Sequence, residues 1–144
     1  MTTLEELARE AASCTRCDLY QRATATVFGE GRPNSRLALV GEQPGDQEDK
    51  QGHPFVGPAG HVLDRALRDS GINRDDAYVT NAVKHFKWEA RGQLEDATVG
   101  DWHGPVLSTV HPSSILRAQD DNARQEAFTG FVADLVKARE ALAA

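Results

Sequence analysis

The sequence predicts an α/β chain, a three-layer αβα sandwich around a short parallel sheet, and three observations carry that prediction. An apolar β-type run, Leu37-Ala38-Leu39-Val40, leads through a glycine- and proline-rich loop into a helical pattern with Val62, Leu63, Ala66 and Leu67 on one face. A second β-type run, Asp76 to Val83, closes a strand–helix–strand unit, for which a right-handed crossover and a parallel pair are the rule. A third, Pro105 to Val110, and a long closing helix continue the alternation of strands and helices.

Taken in order, Thr3 and Glu6 have capping-box spacing, and Leu4, Leu7, Ala8 and Ala11 form an apolar stripe, so a helix is predicted over about 3–12. Cys14-Thr15-Arg16-Cys17 follows, then a linking stretch punctuated by Gly29, Gly31, Pro33 and Asn34. The first strand is predicted at about 36–41. The loop Gly41–Gly60, GEQPGDQEDKQGHPFVGPAG, carries five glycines, three prolines and the acids Glu42, Asp46, Glu48 and Asp49. It leaves the carboxyl end of a strand, where α/β sheets usually bind their ligands. A helix follows over about Pro58–Ser70, with proline suited to its first turn and Gly71 to its cap. After the second strand, Lys84 to Pro105 shows neither period, a long featureless stretch for a compact domain. His111-Pro112-Ser113-Ser114 can cap a short helix starting near Ile115, and the last helix, about 122–142, buries Phe128, Phe131, Val132, Leu135 and Val136.

A chain of 144 residues and 15.7 kDa has the size of a single domain, here residues 1–144. With 40% hydrophobic and 26% charged residues it has the composition of a soluble globular protein, and no apolar run approaches a membrane span. The N-terminus MTTLEELAREAAS is acidic and amphipathic, unlike a signal peptide, and two cysteines three apart suit a reducing compartment; the expected location is cytoplasmic. A net charge of −6 gives no support to broad electrostatic nucleic-acid binding, so such binding must use a local patch, such as Lys84 to Arg91.

Several residues are chemically suggestive and individually ambiguous. Glu42 and Asp46 are carboxylates at a strand end or solvated loop acids; Phe55 is a stacking ring or a core residue; Asn81 reads a ligand or caps a turn. His111, ahead of proline and two serines, is a ligand group or an N-cap. What favours function is convergence: three polar groups at the carboxyl ends of three parallel strands meet in one crevice.

The segments GEQPGDQED with HPFVGPAG, then VTNAVKHF, then HPSSILR, in this order and with CxxC upstream, resemble the uracil-DNA glycosylase superfamily. The likeness is nearest to the iron–sulfur family 4 enzymes and the related branch that crosslinks to uracil-DNA. It implies hydrolysis of the N-glycosidic bond of a flipped-out uracil in DNA, in base excision repair. By that resemblance Glu42, with Asp46 second, stabilises the oxocarbenium-like sugar or orients water. Gln43, Phe55 and Asn81 hold the uracil, and His111 hydrogen-bonds its oxygen as the anion departs. Ser113, Ser114, Arg117 and Lys84 are expected on DNA.

The chain departs from the family in two respects. The family's [4Fe–4S] cluster takes four cysteines, and only Cys14 and Cys17 are present. A site shared by two subunits, another ligand such as His103, or two leftover thiols without a cluster are the alternatives. A βα portion with one strand of the sheet is missing between the VTNAVK and HPSS motifs, with the junction near Ala90-Arg91. The histidine of the crosslinking branch goes with it, so no covalent capture of DNA by that route is expected. Two non-enzymatic alternatives follow: an impaired uracil-DNA-binding protein, or a decayed, truncated chain.

Overall fold

The computed structural model describes residues 2–85, 107 and 109–143. Helix α1, Leu4–Ala12, has the predicted capping box: the Thr3 hydroxyl accepts the Glu6 N–H, and the Glu6 carboxylate accepts that of Thr3. None of its residues is buried, and Leu7 on its apolar stripe is exposed. A 3₁₀ turn spans Asp18–Arg22.

Strand β1, Leu37–Gly41, pairs in parallel with β2, Ala77–Asn81, in a register running from Leu37 opposite Ala77 to Gly41 opposite Asn81. Pairing continues past the strand ends, where Ala82 and Val83 N–H donate to the Gly41 and Glu42 carbonyls. The linking stretch contributes more than turns: Glu30 forms an antiparallel bridge to Val79, and the Thr80 hydroxyl donates to the Phe28 carbonyl.

Helix α3, Pro58–Ser70, ends at Gly71 in the left-handed conformation, and the long α5, Asp121–Ala143, packs along it. Leu63, Ala66 and Leu67 from α3, Phe128, Phe131 and Leu135 from α5, and Ala77 and Val79 from β2 form one core. Leu37 and Leu39 pack against it from β1, with Ile115 of the short α4, Pro112–Leu116, closing one end. Complete burial of a leucine such as Leu67 is worth about 1.5–3 kcal/mol. Val132 of the predicted α5 stripe is only partly buried. Arg139 of α5 donates to the Ser70 carbonyl at 2.7 Å and so ties the two helices at the α3 terminus.

The described residues show only part of the predicted architecture. The sheet has two strands among the described residues, where three were predicted; Leu107, Thr109 and Val110 belong to no strand, and Pro105, Val106 and Ser108 lie outside the described residues. The core residues cover one face of this pair, while Val40 on the other face is 64% exposed. The loop after β1 is not continuous coil but contains helix α2, Asp46–Gln51, ended by Gly52 with φ 74°. Most of the featureless stretch, 86–105, and with it His103 and the Ala90-Arg91 junction, lies outside the described residues.

No helix among the described residues is long and apolar enough to cross a membrane.

Candidate active site

The register that places Gly41 beside Asn81 puts the carboxyl ends of both strands at one level. There a hollow of about 320 Å³ is lined by Glu42, Gln43, Pro44, Gly45, Glu48, Phe55, Ala59, Asn81, His111, Ser113 and Arg117. A larger hollow, about 450 Å³, lies toward the other end of β2 and holds none of the predicted site residues; Arg74 in its wall is already bonded to Asp64, Glu30 and the Pro54 carbonyl.

Asn81 is 2% exposed, and its Oδ1 has no hydrogen-bond partner among the described residues. A buried amide oxygen left unpaired costs free energy unless a ligand completes it. Gly41 makes the approach of Asn81 possible, since a Cβ there would stand 2.3 Å from Asn81 Oδ1 and 2.6 Å from the Phe55 ring.

Phe55 is 8% exposed and has φ 53°, a left-handed conformation that phenylalanine rarely adopts. Two neighbours surround it. Gly60, in the first turn of α3, lies so close beneath that a Cβ would fall 1.9 Å from the Phe55 carbonyl oxygen. Glu48 holds the next two residues, accepting the N–H of Val56 at 2.9 Å and of Gly57 at 2.7 Å. The Phe55 ring then stands 5.9 Å from that of His111.

His111 is the N-cap of α4, and its Nδ1 accepts the backbone N–H of Ser113 at 3.2 Å. An accepting Nδ1 carries no hydrogen, so the ring proton is on Nε2, and the Ser113 hydroxyl, 2.7 Å from Nδ1, is the donor of that pair. Burial lowers the His111 pKa below the ordinary 6.5; Glu42 and Glu48 oppose this and Arg117 assists it. The imidazole is therefore neutral near pH 7.

The remaining predicted residues are placed as follows. Glu42 is exposed at the rim, and Gln43 is half-buried beside it. Asp46 opens α2, pairs with Lys50 at 2.7 Å and is not among the lining residues. Ser113 and Ser114 are engaged at the α4 start, where both N–H groups donate to His111, to Nδ1 and to its carbonyl, and the Ser114 hydroxyl also donates to that carbonyl. Arg117 is exposed at the hollow's edge. Lys84 turns inward: its ammonium donates to Thr80 Oγ1 and the Asn81 carbonyl, both at 2.6 Å, over the Phe28 ring. Burial lowers its pKa.

Glu48 is the one polar side chain lining the hollow to which sequence reasoning assigned no role. Its signal was the spacing from Gly45, three residues before, which allows the return half of a capping box, the Glu48 carboxylate accepting the N-cap N–H.

A family model described as the uracil DNA glycosylase superfamily matches residues 28–99, half of the chain. The chain belongs to the uracil DNA glycosylase superfamily. It is 48% identical over 88 residues to a type-4 uracil-DNA glycosylase of Thermotoga maritima, covering 58% of this chain and 46% of that one. The type-4 enzyme of Archaeoglobus fulgidus is 43% identical over 118 residues, covering 81% and 59%. That of Sulfurisphaera tokodaii is 45% identical over 85 residues, covering 58% and 39%. The chain thus spans about two fifths to three fifths of the length of these relatives. Within the superfamily match lie Glu42, Gln43, Phe55 and Asn81, all on one hollow; His111 reaches it from beyond the matched segment.

Cys14 and Cys17 follow α1 as free thiols, the first half-buried and the second exposed. No group of three or more histidine, cysteine, aspartate or glutamate side chains able to hold a metal occurs among the described residues. A four-thiolate cluster does not fit a donor set of two cysteines in one chain.

Proposed function

We propose that this protein is a uracil-DNA glycosylase, hydrolysing the N-glycosidic bond of a uracil flipped out of DNA. The single observation that supports it most is the unpaired, buried Oδ1 of Asn81 in a hollow that also holds Phe55 and His111. Uracil offers an N3–H donor beside two carbonyl acceptors, and Oδ1 is the acceptor that the N3–H needs. Phe55 supplies the stacking face, with Gln43 on the neighbouring wall.

As the bond breaks, negative charge collects on the base and positive charge on the sugar. The neutral His111, protonated at Nε2, donates to the uracil oxygen that takes the charge, and needs no proton from solvent to do so. Glu42 is the carboxylate proposed for the sugar side, stabilising its cation or orienting the water that completes hydrolysis. Asp46, bonded to Lys50, is the second carboxylate of the proposal. The Ser113 N–H and hydroxyl set the His111 tautomer, and phosphate contact is proposed chiefly for the exposed Arg117. Because two thiols do not complete a four-thiolate site, no step passes through an iron–sulfur cluster.

The proposal extends to architecture. Residues 1–144 form one glycosylase domain of three-layer αβα type with β1 and β2 in its sheet, nearest the crosslinking branch and shortened after Ala90. The expected setting is cytoplasmic, acting on DNA.

The test is incubation with a uracil-containing single strand followed by alkaline scission of the abasic product. Scission by the parent protein, reduced about 10²–10³-fold in His111→Ala and lost in Asn81→Ala, is expected. An intact strand with a well-folded parent would sink the enzymatic reading. Preference for uracil over thymine DNA in that case would leave a binding protein.

A further inference from the structure

Glu48 is a buried carboxylate, 8% exposed, that serves neither solvent nor a cation among the described residues. Its two oxygens take three backbone N–H groups, one before α2 and two after Phe55. Oε2 accepts Gly45 at 3.0 Å, and Oε1 accepts Val56 and Gly57 at 2.9 and 2.7 Å. One side chain thereby joins the wall made by Gln43, Pro44 and Gly45 to the turn that holds Phe55. The glycines fit this arrangement: a Cβ on Gly45 would stand 2.6 Å from Oε2, and one on Gly57 3.2 Å from Oε1.

The adjacent Asp49, 5% exposed, makes the equivalent bonds outward, to the N–H of Thr24 and Ala25. Helix α2 is thus anchored on one side by Asp49 and reaches into the hollow on the other with Glu48. We infer that Glu48 is the positioning residue of this site, holding Phe55 in its left-handed conformation against the Gln43–Gly45 wall through three backbone hydrogen bonds. It acts through Phe55, not on the substrate. Since its donors are all N–H groups, a glutamine at this position would set its own amide N–H against at least one of them. The inference rests on the glycosylase reading for its consequence, but the clasp itself can be read out independently.

The experiment compares the parent with Glu48→Gln and with Gly45→Ala, whose backbone φ of −92° accepts alanine while the new methyl displaces Oε2. Backbone amide NMR signals of Gly45, Val56 and Gly57 are expected to move in Glu48→Gln while those of Leu63 and Leu67 stay. The single-turnover excision rate, assayed well below the melting temperature, is expected to fall about 10²-fold with affinity for thymine-containing DNA unchanged. Should Glu48→Gln fail to fold, Gly45→Ala decides by the same two readouts. A parent that excises uracil and a folded variant that does so equally well would overturn the inference alone, as would a rate loss that disappears on cooling. A parent that neither excises uracil nor prefers it to thymine overturns the glycosylase reading, and the inference with it. If the parent only prefers uracil DNA, the variant is expected to lose that preference, and retaining it overturns the inference.

Discussion

The backbone N–H of Ser113 points at Nδ1 of His111, 3.2 Å away, and this bond determines which nitrogen of the imidazole carries its proton. It arises from local chain geometry, since the histidine is the N-cap of α4 and Ser113 is the second residue of that helix. A half-buried ring with its proton on Nε2 is a neutral donor, suited to a developing anion.

A pH profile follows. With the His111 pKa lowered by burial, excision should be flat above pH 6.5 and fall only below it, where the imidazole takes a second proton. Arg117 contributes to the lowering, so Arg117→Gln should move the acid limb upward. Stability should follow the same sign. The unfolded chain takes up the proton first as pH falls through 6.5, so the His111 contribution is intact above that value and is lost between it and the lowered folded-state pKa. Single-turnover rates and denaturant melts across about pH 4.5–8, a range set about the ordinary histidine pKa of about 6.5, check both.

Gly41→Ala would drive a methyl group against Asn81 Oδ1 and the Phe55 ring together. We expect a destabilisation of about 1–3 kcal/mol from overpacking. Uracil excision should suffer beyond what stability explains, because the same methyl enters the base site. Urea denaturation and excision rates on one preparation separate the two effects.

Lys84 and Arg117 should behave oppositely on DNA. The Lys84 ammonium is turned toward Thr80 and the Asn81 carbonyl, whereas Arg117 is exposed at the hollow's edge. Arg117→Gln should reduce the slope of log affinity against log salt by about 1. Lys84→Gln should leave that slope unchanged and lower the melting temperature, having removed two partly buried hydrogen bonds. A reduced slope for Lys84→Gln would return it to the DNA interface.

Arg74→Ala should loosen the approach to the site from behind. Its guanidinium holds Asp64 of α3, Glu30 of the bridge beside β2, and the carbonyl of Pro54, which precedes Phe55. A loss of about 1–3 kcal/mol is expected, since three partners lose their donor at once. Calorimetric melting of the variant measures it.

Patterns of one or two periods in the sequence determined much of this protein. The capping box of Thr3 and Glu6, the α3 span from Pro58 to the Gly71 cap, and the α5 stripe of Phe128, Phe131 and Leu135 follow from local propensity and amphipathicity, which need no distant partner. The parallel pairing of the 37–41 and 77–81 segments was legible from the strand–helix–strand order, for which a right-handed crossover and a parallel pair are the rule. Motif order then pointed to Glu42, Gln43, Phe55, Asn81 and His111, and these do line one hollow.

Only the tertiary structure decided the rest. Helix α2 hides in a stretch rich in glycine because its stability comes from Glu48 and Asp49 bonding residues as far away as Thr24 and Gly57, contacts that no local period records. The inward turn of Lys84 depends on an oxygen cage formed by β2, and the orphaned Asn81 Oδ1 depends on burial beneath Phe55 and beside Gly41. Spacing along a chain tells which residues can share an element. Which donors and acceptors a buried residue meets is set by segments far apart in sequence, and only folding brings those together.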